Sequence, residues 1–297
     1  MIKSKYFKFL ITVIIFILVF VICFLLNWQW IFSKAGFYPD RSEGMSVSFI
    51  DVGKADAIFI TCDDYNILID AGEDYKADRV ISYLKRYNTE KIDLLISTHP
   101  DNDHIGGMSS IINEFEVERF WQSEIDENVI SQTSAYKNMI TSLENKNVNT
   151  EYKEAKSTYS LGDLTFTVLS PGKKYDDTNN SSLIIRLDYF DTSFLFMGDA
   201  ETEAEQDLIN NYQDTLQADV LKVSHHGSNN GSSYEFLQLV SPRYGVISVG
   251  DNTVNLPNKA CIERLESNNI EILRTDLQGT VTINAKNDGN IQIHTEK

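Results

Sequence analysis

The sequence predicts an α/β protein in which two β-sheets pack face to face and carry helices on their outer surfaces. Short apolar runs with the length and composition of buried strands occur in both halves of the chain. Amphipathic stretches with helical spacing fall between several of them. Helices placed outside two packed sheets bury the apolar side of both kinds of element. A long apolar run near the amino terminus adds a single transmembrane helix before this domain.

The first element is an apolar run over residues 9–26 that only Thr12 interrupts. As a helix it is about 27 Å long, close to the bilayer core of about 30 Å. Lysines precede the run and Trp28 and Trp30 follow it, which predicts an uncleaved anchor with its amino terminus in the cytoplasm. A cleaved signal peptide is the alternative, but the run exceeds a usual signal core and no Ala-x-Ala-like site follows.

The chain is therefore expected to cross the cell membrane once and to place one large domain outside. No linker rich in proline, glycine or serine and no internal repeat divides that domain. The predicted segments are a cytoplasmic amino terminus (1–8), a transmembrane signal anchor (9–30), a connector (31–44) and the large exterior domain (45–297).

The exterior part is strongly acidic. The whole chain has a formal charge of −17, to which residues 1–40 contribute about +3, so the remainder carries about −20. Such a surface argues against broad, non-specific DNA binding. A nucleic-acid substrate is still compatible with this charge, because bound divalent cations make the electrostatic potential locally positive. Cys62 and Cys261 lie in this part, where a disulfide can form, and the sequence does not show whether they meet.

The strands of this domain are predicted from apolar runs bounded by turn residues. They cover residues 45–51, 57–61, 66–70, 93–97, 164–169, 182–189, 192–197, 220–224 and 244–249. The helices follow stripes of apolar residues over 80–87, 136–143, 236–240 and 261–265, and further helices are predicted after residue 104 and over 201–210. The end of the chain, 279–295, predicts a hairpin with its turn at 287–290.

The most informative segment is 99–104, His-Pro-Asp-Asn-Asp-His, which follows a predicted strand. In an extended loop His99 and Asp101 point the same way, whereas the adjacent Asp103 and His104 diverge, so one loop is expected to serve two ions. Imidazole and carboxylate together suit zinc, and also manganese or iron. The alternative is a polar turn in which an aspartate caps the next helix.

Further ligand candidates stand at two other strand ends. Asp199 follows Gly198, although it could instead cap the helix predicted after it. His225 and His226 follow the strand at 220–224, and one of them could be a hydrogen-bonding partner rather than a ligand. The fifth histidine, His294, is expected on the exposed face of the last strand.

Together these residues supply enough ligands for two divalent ions if Asp199 bridges them. Two ions about 3.5 to 4 Å apart can hold a hydroxide and clamp the attacking and leaving oxygens of a displacement. That hydroxide is the expected nucleophile, since no serine-nucleophile elbow or phosphate-binding loop is present in the sequence. The predicted metal ligands are His99, Asp101, Asp103, His104, Asp199, His225 and His226.

The ordered set of motifs resembles the metallo-β-lactamase-fold hydrolases, and most of all the extracellular hydrolase domain of ComEC-type competence proteins. The motifs are Phe-Ile-Asp-Val-Gly-Lys-Ala-Asp-Ala at 49–57, the 99–104 segment followed by Ile-Gly-Gly, Asn-Asn-Ser-Ser-Leu at 179–183, Gly-Asp-Ala at 198–200 and Ala-Asp-Val-Leu-Lys-Val-Ser-His-His-Gly-Ser at 218–228. The resemblance implies an αβ/βα sandwich of two mixed sheets, with a metal site at one edge between them.

Three departures from this resemblance bear on function. Lys54 and Ala55 replace a glutamine and a glycine of the opening motif. Leu256 stands where many members have a late histidine, so the site with Asp103, His104 and Asp199 is expected to be one ligand short. Only one membrane segment is predicted, so DNA uptake through a many-helix channel does not carry over.

The expected function is that of a membrane-anchored, outward-facing hydrolase in which a metal-bound hydroxide attacks a phosphoester, first of all a nucleic-acid phosphodiester. Two divalent ions, zinc or else manganese, are the expected cofactors, and Asp103, Asp199 and His226 are expected to act in catalysis. One alternative is a cell-envelope phosphodiesterase of the phosphocholine-removing kind, acting on a cell-wall polymer. Another is a non-catalytic metal-binding domain, and no protein partner is indicated.

Overall fold

The computed structural model describes Phe16 and residues 44–125, 133–170 and 172–297. Apart from Phe16 and Gly44, the predicted cytoplasmic segment, anchor and connector at 1–44 lie outside the described residues. Among the described residues, no helix is both long enough and apolar enough to cross a membrane.

The strands alternate with helices through most of this part of the chain. In chain order the strands are β1 Met45–Phe49, β2 Ile58–Cys62, β3 Tyr65–Ile69, β4 Lys91–Ile92, β5 Leu94–Ser97, β6 Glu116–Val117, β7 Phe120–Gln122, β8 Thr150–Tyr152, β9 Thr158–Leu161, β10 Leu164–Ser170, β11 Ile184–Tyr189, β12 Thr192–Phe196, β13 Val220–Lys222, β14 Tyr244–Ile247, β15 Glu271–Arg274, β16 Val281–Ala285 and β17 Ile291–Thr295. The helices are α1 Ala77–Arg86, α2 Asn102–Ile105, α3 Met108–Glu114, α4 Ser134–Lys146, α5 Thr202–Tyr212, α6 Tyr234–Val240, α7 Lys259–Ser267 and α8 Thr275–Gln278.

Two mixed sheets organise these strands. The first has the order β17-β16-β1-β2-β3-β5-β7-β8, with parallel pairing from β3 to β8. The second has the order β15-β14-β13-β12-β11-β10-β9, with parallel pairing from β12 to β15. β4 and β6 form a separate short pair.

The core follows from the alternation of side chains along each strand. Phe194 and Phe196 of β12 point between the sheets, where they join apolar residues of β1 such as Phe49. Leu195 and Met197 point the other way and pack with residues of α5, α6 and α7. The outer face of the first sheet packs in the same manner against α1, α3 and α4. The predicted sandwich of two sheets with helices outside is therefore confirmed.

Short strands at the sheet margins were not predicted. β8 and β9 at the margins have only intermediate or exposed side chains, and β4 and β6 have two residues each. Such strands have no apolar run of their own, because their pairing depends on the neighbouring strand.

Parallel strands in both sheets end at one edge of the sandwich. β5 of the first sheet leads to the segment 99–104, while β12 and β13 of the second sheet lead to Asp199 and to His225 and His226. This edge therefore collects the predicted ligands from three separate parts of the chain.

Candidate metal centre

Four of the predicted ligands form a tight cluster at this edge. One ligand atom from each of Asp103, His104, Asp199 and His226 lies within 4.8 Å of the others. His104 Nε2 is 3.2 Å from Asp199 Oδ1. His226 Nε2 is 3.4 Å from Asp103 Oδ2 and 3.6 Å from Asp199 Oδ2. Two imidazoles and two carboxylates in this arrangement are a ligand set that zinc and manganese both accept.

Several buried atoms of the predicted ligands lack hydrogen-bond partners among the described residues. His99, His104 and His226 are 0% exposed, yet none of their Nε2 atoms makes a well-aligned hydrogen bond there, although His104 Nε2 and Asp199 Oδ1 lie 3.2 Å apart. The same holds for Asp199 Oδ1. A buried polar atom without a partner costs about 1–3 kcal/mol, and several aimed at one place are rare in folded proteins. Divalent cations held by these atoms would satisfy all of them, so the residues fit a metal centre.

A second, looser group surrounds the other predicted ligands. His99 Nε2 lies 3.8 Å from Asp101 Oδ2 and 4.0 Å from Asp199 Oδ2. His225 Nε2 lies 3.6 Å from Asp199 Oδ2. Asp199 therefore faces both groups, which is the position that a bridging carboxylate needs.

Each imidazole is oriented through its second nitrogen. His104 Nδ1 lies 2.7 Å from a carboxylate oxygen of Asp70, and His226 Nδ1 lies 2.8 Å from the Ser248 carbonyl oxygen. His225 Nδ1 lies 2.9 Å from Glu201 Oε1. An Nδ1 that donates to such an acceptor leaves the Nε2 lone pair free for a cation, as in many metal sites.

Two expectations about the 99–104 segment concern this cluster. Asp103 and His104 were expected to serve one ion although their side chains diverge; both contribute to the tight cluster, and α2 begins at Asn102, so the two residues lie on a helical turn rather than in an extended loop. The site with Asp103, His104 and Asp199 was expected to be one ligand short; in the structure His226 places a fourth ligand atom in the cluster. Leu256 is partly buried and packs against the apolar core of the second sheet's outer face instead.

The capping alternatives find no support in the described helices. Asp101 stands at the start of α2, but its side chain accepts no capping hydrogen bond. α5 begins after Glu201 rather than after Asp199. Both aspartates therefore keep their carboxylates available for the centre.

A buried ion pair lies beneath the histidines. Lys222 Nζ is 2.7 Å from Asp56 Oδ2, and both side chains are almost fully buried. Asp56 Oδ1 lies 3.8 Å from His226 Nδ1, while Asp56 Oδ2 lies 3.9 Å from His104 Nδ1. Burial would raise the pKa of Asp56, but Lys222 and the two imidazoles outweigh it and lower that pKa. The charged pair thus lies next to the Nδ1 atoms of two candidate ligands, His104 and His226.

The two histidines of the 99–104 segment differ in the direction in which their pKa values are shifted. Burial, together with the neighbouring His104, lowers the pKa of His99 to about 4, so His99 is neutral at neutral pH. Burial acts in the same direction on His104, but the carboxylates of Asp199 and Asp70 outweigh it and raise its pKa well above the usual range. A cation that binds His104 Nε2 therefore competes with a proton.

The tandem histidines occupy a constrained turn. His225 and His226 have φ values of 47° and 52°, in the left-handed region that side chains other than glycine rarely adopt. Gly227 follows with φ +78°, and a Cβ there would lie 2.6 Å from Pro257 Cβ. Non-glycine residues in such conformations each cost about 1–3 kcal/mol and cluster at functional sites. This turn lets both rings reach Asp199.

Sequence reasoning missed the residues that support the ligands. Asp70 directly follows β3, Asp56 lies within the opening motif, and Glu201 comes two residues after Asp199. Only Lys222 gives a direct signal, since a lysine in an otherwise apolar buried strand needs a buried partner. The other histidine and the two cysteines lie outside the centre. His294 is exposed on β17, and Cys62 and Cys261 are free and buried in separate core clusters, so they do not pair.

Comparison with known proteins identifies similar chains. The model of the metallo-beta-lactamase superfamily matches residues 50–251. ComE operon protein 3 of Bacillus subtilis is 30% identical over 270 residues, which cover 84% of this chain and 34% of that protein. Competence protein ComA of Neisseria gonorrhoeae is 27% identical over 255 residues, covering 83% of this chain and 34% of that protein. The chain thus spans about a third of the length of these curated relatives.

A solved structure gives the same fold. The metallo-beta-lactamase fold protein YhfI from Bacillus subtilis superposes with a TM-score of 0.52, covering 85% of this chain and 100% of that one. At 14% sequence identity this likeness speaks for the fold alone.

Proposed function

Because the chain belongs to the metallo-beta-lactamase superfamily and is related to ComEC-type competence proteins, we propose that it is a membrane-anchored, metal-dependent hydrolase of phosphoesters. The observation that carries this proposal is the set of buried, unpartnered donor atoms on His99, His104, Asp199 and His226. A bound metal ion would explain these unpartnered atoms, and histidine and carboxylate ligands without cysteine are typical of catalytic rather than structural zinc sites.

The predicted ligands form two groups, one for each ion of such a site. Asp103, His104 and His226 would hold one ion and His99, Asp101 and His225 the other, with Asp199 facing both. Divalent ions bound there supply Lewis acidity for a phosphoryl group and lower the pKa of water. His226 Nε2 lies 3.4 Å from Asp103 Oδ2 and 3.6 Å from Asp199 Oδ2, and these three are the catalytic residues of this proposal.

A nucleic-acid phosphodiester is the first substrate. This choice is supported by the similarity to two competence proteins over more than four fifths of the chain. The charge of about −20 on the exterior part favours a second candidate, a phosphodiester of the cell envelope that carries positive charge, as phosphocholine does. The apolar run at 9–26 and the lysines before it support anchoring in the cell membrane with the hydrolase domain outside.

Turnover of bis-p-nitrophenyl phosphate by the zinc-loaded or manganese-loaded chain tests the hydrolase proposal. Asp199→Asn should lower turnover at least about 100-fold, since loss of a group that only orients a ligand already costs about 10–100-fold. The exposed Glu263→Gln on α7 should leave turnover unchanged. A metal-loaded protein without turnover would indicate a binding domain. Activity on single-stranded DNA or on p-nitrophenyl phosphocholine then distinguishes the two substrates.

A further inference from the structure

Lys54 contacts the metal-ligand cluster from the loop between β1 and β2. Its ammonium group donates to the Asp103 carboxylate, and its side chain is 28% exposed. A lysine ammonium group is positively charged at neutral pH, so Lys54 places a positive charge at the boundary between the cluster and solvent.

The loop that carries Lys54 is held in place by close backbone contacts. The Asp56 amide donates to the Asp103 carbonyl oxygen at 3.1 Å. A Cβ on Gly250 would lie 2.5 Å from the Gly53 Cα, so Gly250 allows the two loops to touch. The position of the Lys54 backbone is thus tied both to α2 and to the loop after β14.

On its solvent side Lys54 borders a groove with a volume of about 610 Å³. Lys76 and Lys297 also line this groove, together with the carboxylates of Asp51, Glu73, Asp251 and Asp276. The groove is therefore not a generally basic surface. What distinguishes Lys54 within it is the contact with a metal ligand.

A cation bound by Asp103 would compete with Lys54 for that carboxylate. The ammonium group of Lys54, which lines the groove, would then have a donor available for another acceptor. An anionic oxygen that approaches the centre from the groove meets this donor, and ammonium groups bind phosphate oxygens strongly. We propose that Lys54 is a substrate-binding residue that holds a non-bridging phosphate oxygen at the mouth of the metal centre. This inference rests on the proposed phosphoester function.

Binding of inorganic phosphate to the zinc-loaded full-length chain, measured by calorimetry, tests the proposal. Lys54→Met should weaken phosphate binding at least about tenfold and raise the KM for bis-p-nitrophenyl phosphate by a similar factor. Lys54→Arg should stay within about threefold of the wild type, because it keeps the charge. Lys76→Met removes the same charge from the same groove and should change phosphate affinity by less than about twofold.

Zinc content, measured on each variant, separates a binding role from a structural one. We expect it to be unchanged in Lys54→Met. Loss of zinc in that variant, phosphate affinity equal to that of the wild type, or failure of the zinc-loaded wild type to bind phosphate would each overturn the role of Lys54. Phosphate binding without turnover by the wild type would instead contradict the proposed function alone.

Discussion

The buried pair of Lys222 and Asp56 offers the sharpest test of how the metal centre is supported. Lys222→Met keeps an unbranched side chain of similar length and removes the ammonium group 2.7 Å from Asp56 Oδ2. The Asp56 carboxylate would remain almost fully buried, with His226 and His104 as its nearest imidazoles at 3.8 and 3.9 Å. It would therefore be a buried charge with only weak compensation.

Removal of one partner from a buried ion pair costs about 3–5 kcal/mol. We expect a loss near the lower end, about 3 kcal/mol, because the two imidazoles are close enough to offset part of the charge. Asp56→Asn combined with Lys222→Met removes both charges and should restore stability to within about 1 kcal/mol of the wild type. The exposed pair of Lys259 and Glu263 is the control, and Lys259→Met should change stability by less than about 0.5 kcal/mol.

Urea unfolding of the compact unit Arg41–Lys297 in the presence of chelator measures these differences. The folded-state pKa of Asp56 lies below its usual value, so its stabilising contribution is present above about pH 4 and is lost as the pH falls further. In Lys222→Met the ammonium group that opposes burial is gone, so burial should raise the pKa of Asp56 and the variant should take up a proton as the pH falls from 7. The cost of Lys222→Met should therefore be largest near pH 7 and shrink towards pH 4. A cost below about 1 kcal/mol at pH 7, or one that grows on acidification, would refute the reasoning.

Three further predictions concern residues around the centre. Leu256→Ala should cost about 1–2 kcal/mol in urea unfolding and leave zinc content unchanged, and a fall in zinc would contradict the placement of Leu256 in the core. Gly227→Ala should cost more than about 2 kcal/mol by the same assay, because its Cβ meets Pro257, and a neutral effect would contradict the tight turn. Burial raises the pKa of Cys62 to about 12 and that of Cys261 to about 11. Both thiols of residues 41–297 should therefore react with Ellman's reagent only after unfolding, and a disulfide detected by mass would overturn this.

The predictable part of the fold is the part in which local pattern and tertiary packing agree. All nine predicted strands and the hairpin at the end of the chain are present, because each carries an apolar face that a sheet must bury. β15, whose side chains are partly exposed, escaped prediction because it pairs with β14 at the margin of its sheet. Its structure depends on its neighbour rather than on its own sequence.

The candidate site could be predicted in its residues but not in its geometry. The segment 99–104, Asp199 and the tandem histidines were predicted because each follows a predicted buried strand. Polar residues in that position meet at one edge of the sheets. Asp103 and His104 were predicted to serve the same ion, and both lie in the tight cluster, but the helix that begins at Asn102 and sets the angle between these neighbouring side chains was not predicted there. The role of His226 in completing the cluster depends on a left-handed turn that no local pattern specifies.

The central claim is that Asp103, His104, Asp199 and His226 form part of a centre for divalent ions. Metal content per chain, measured by atomic absorption after exposure to zinc or manganese and removal of excess metal, tests it most directly. We predict about two ions per chain in the wild type and loss of bound metal in the double variant Asp103→Ala, His104→Ala. A wild-type chain that retains no metal at any pH above about 6 would contradict the account.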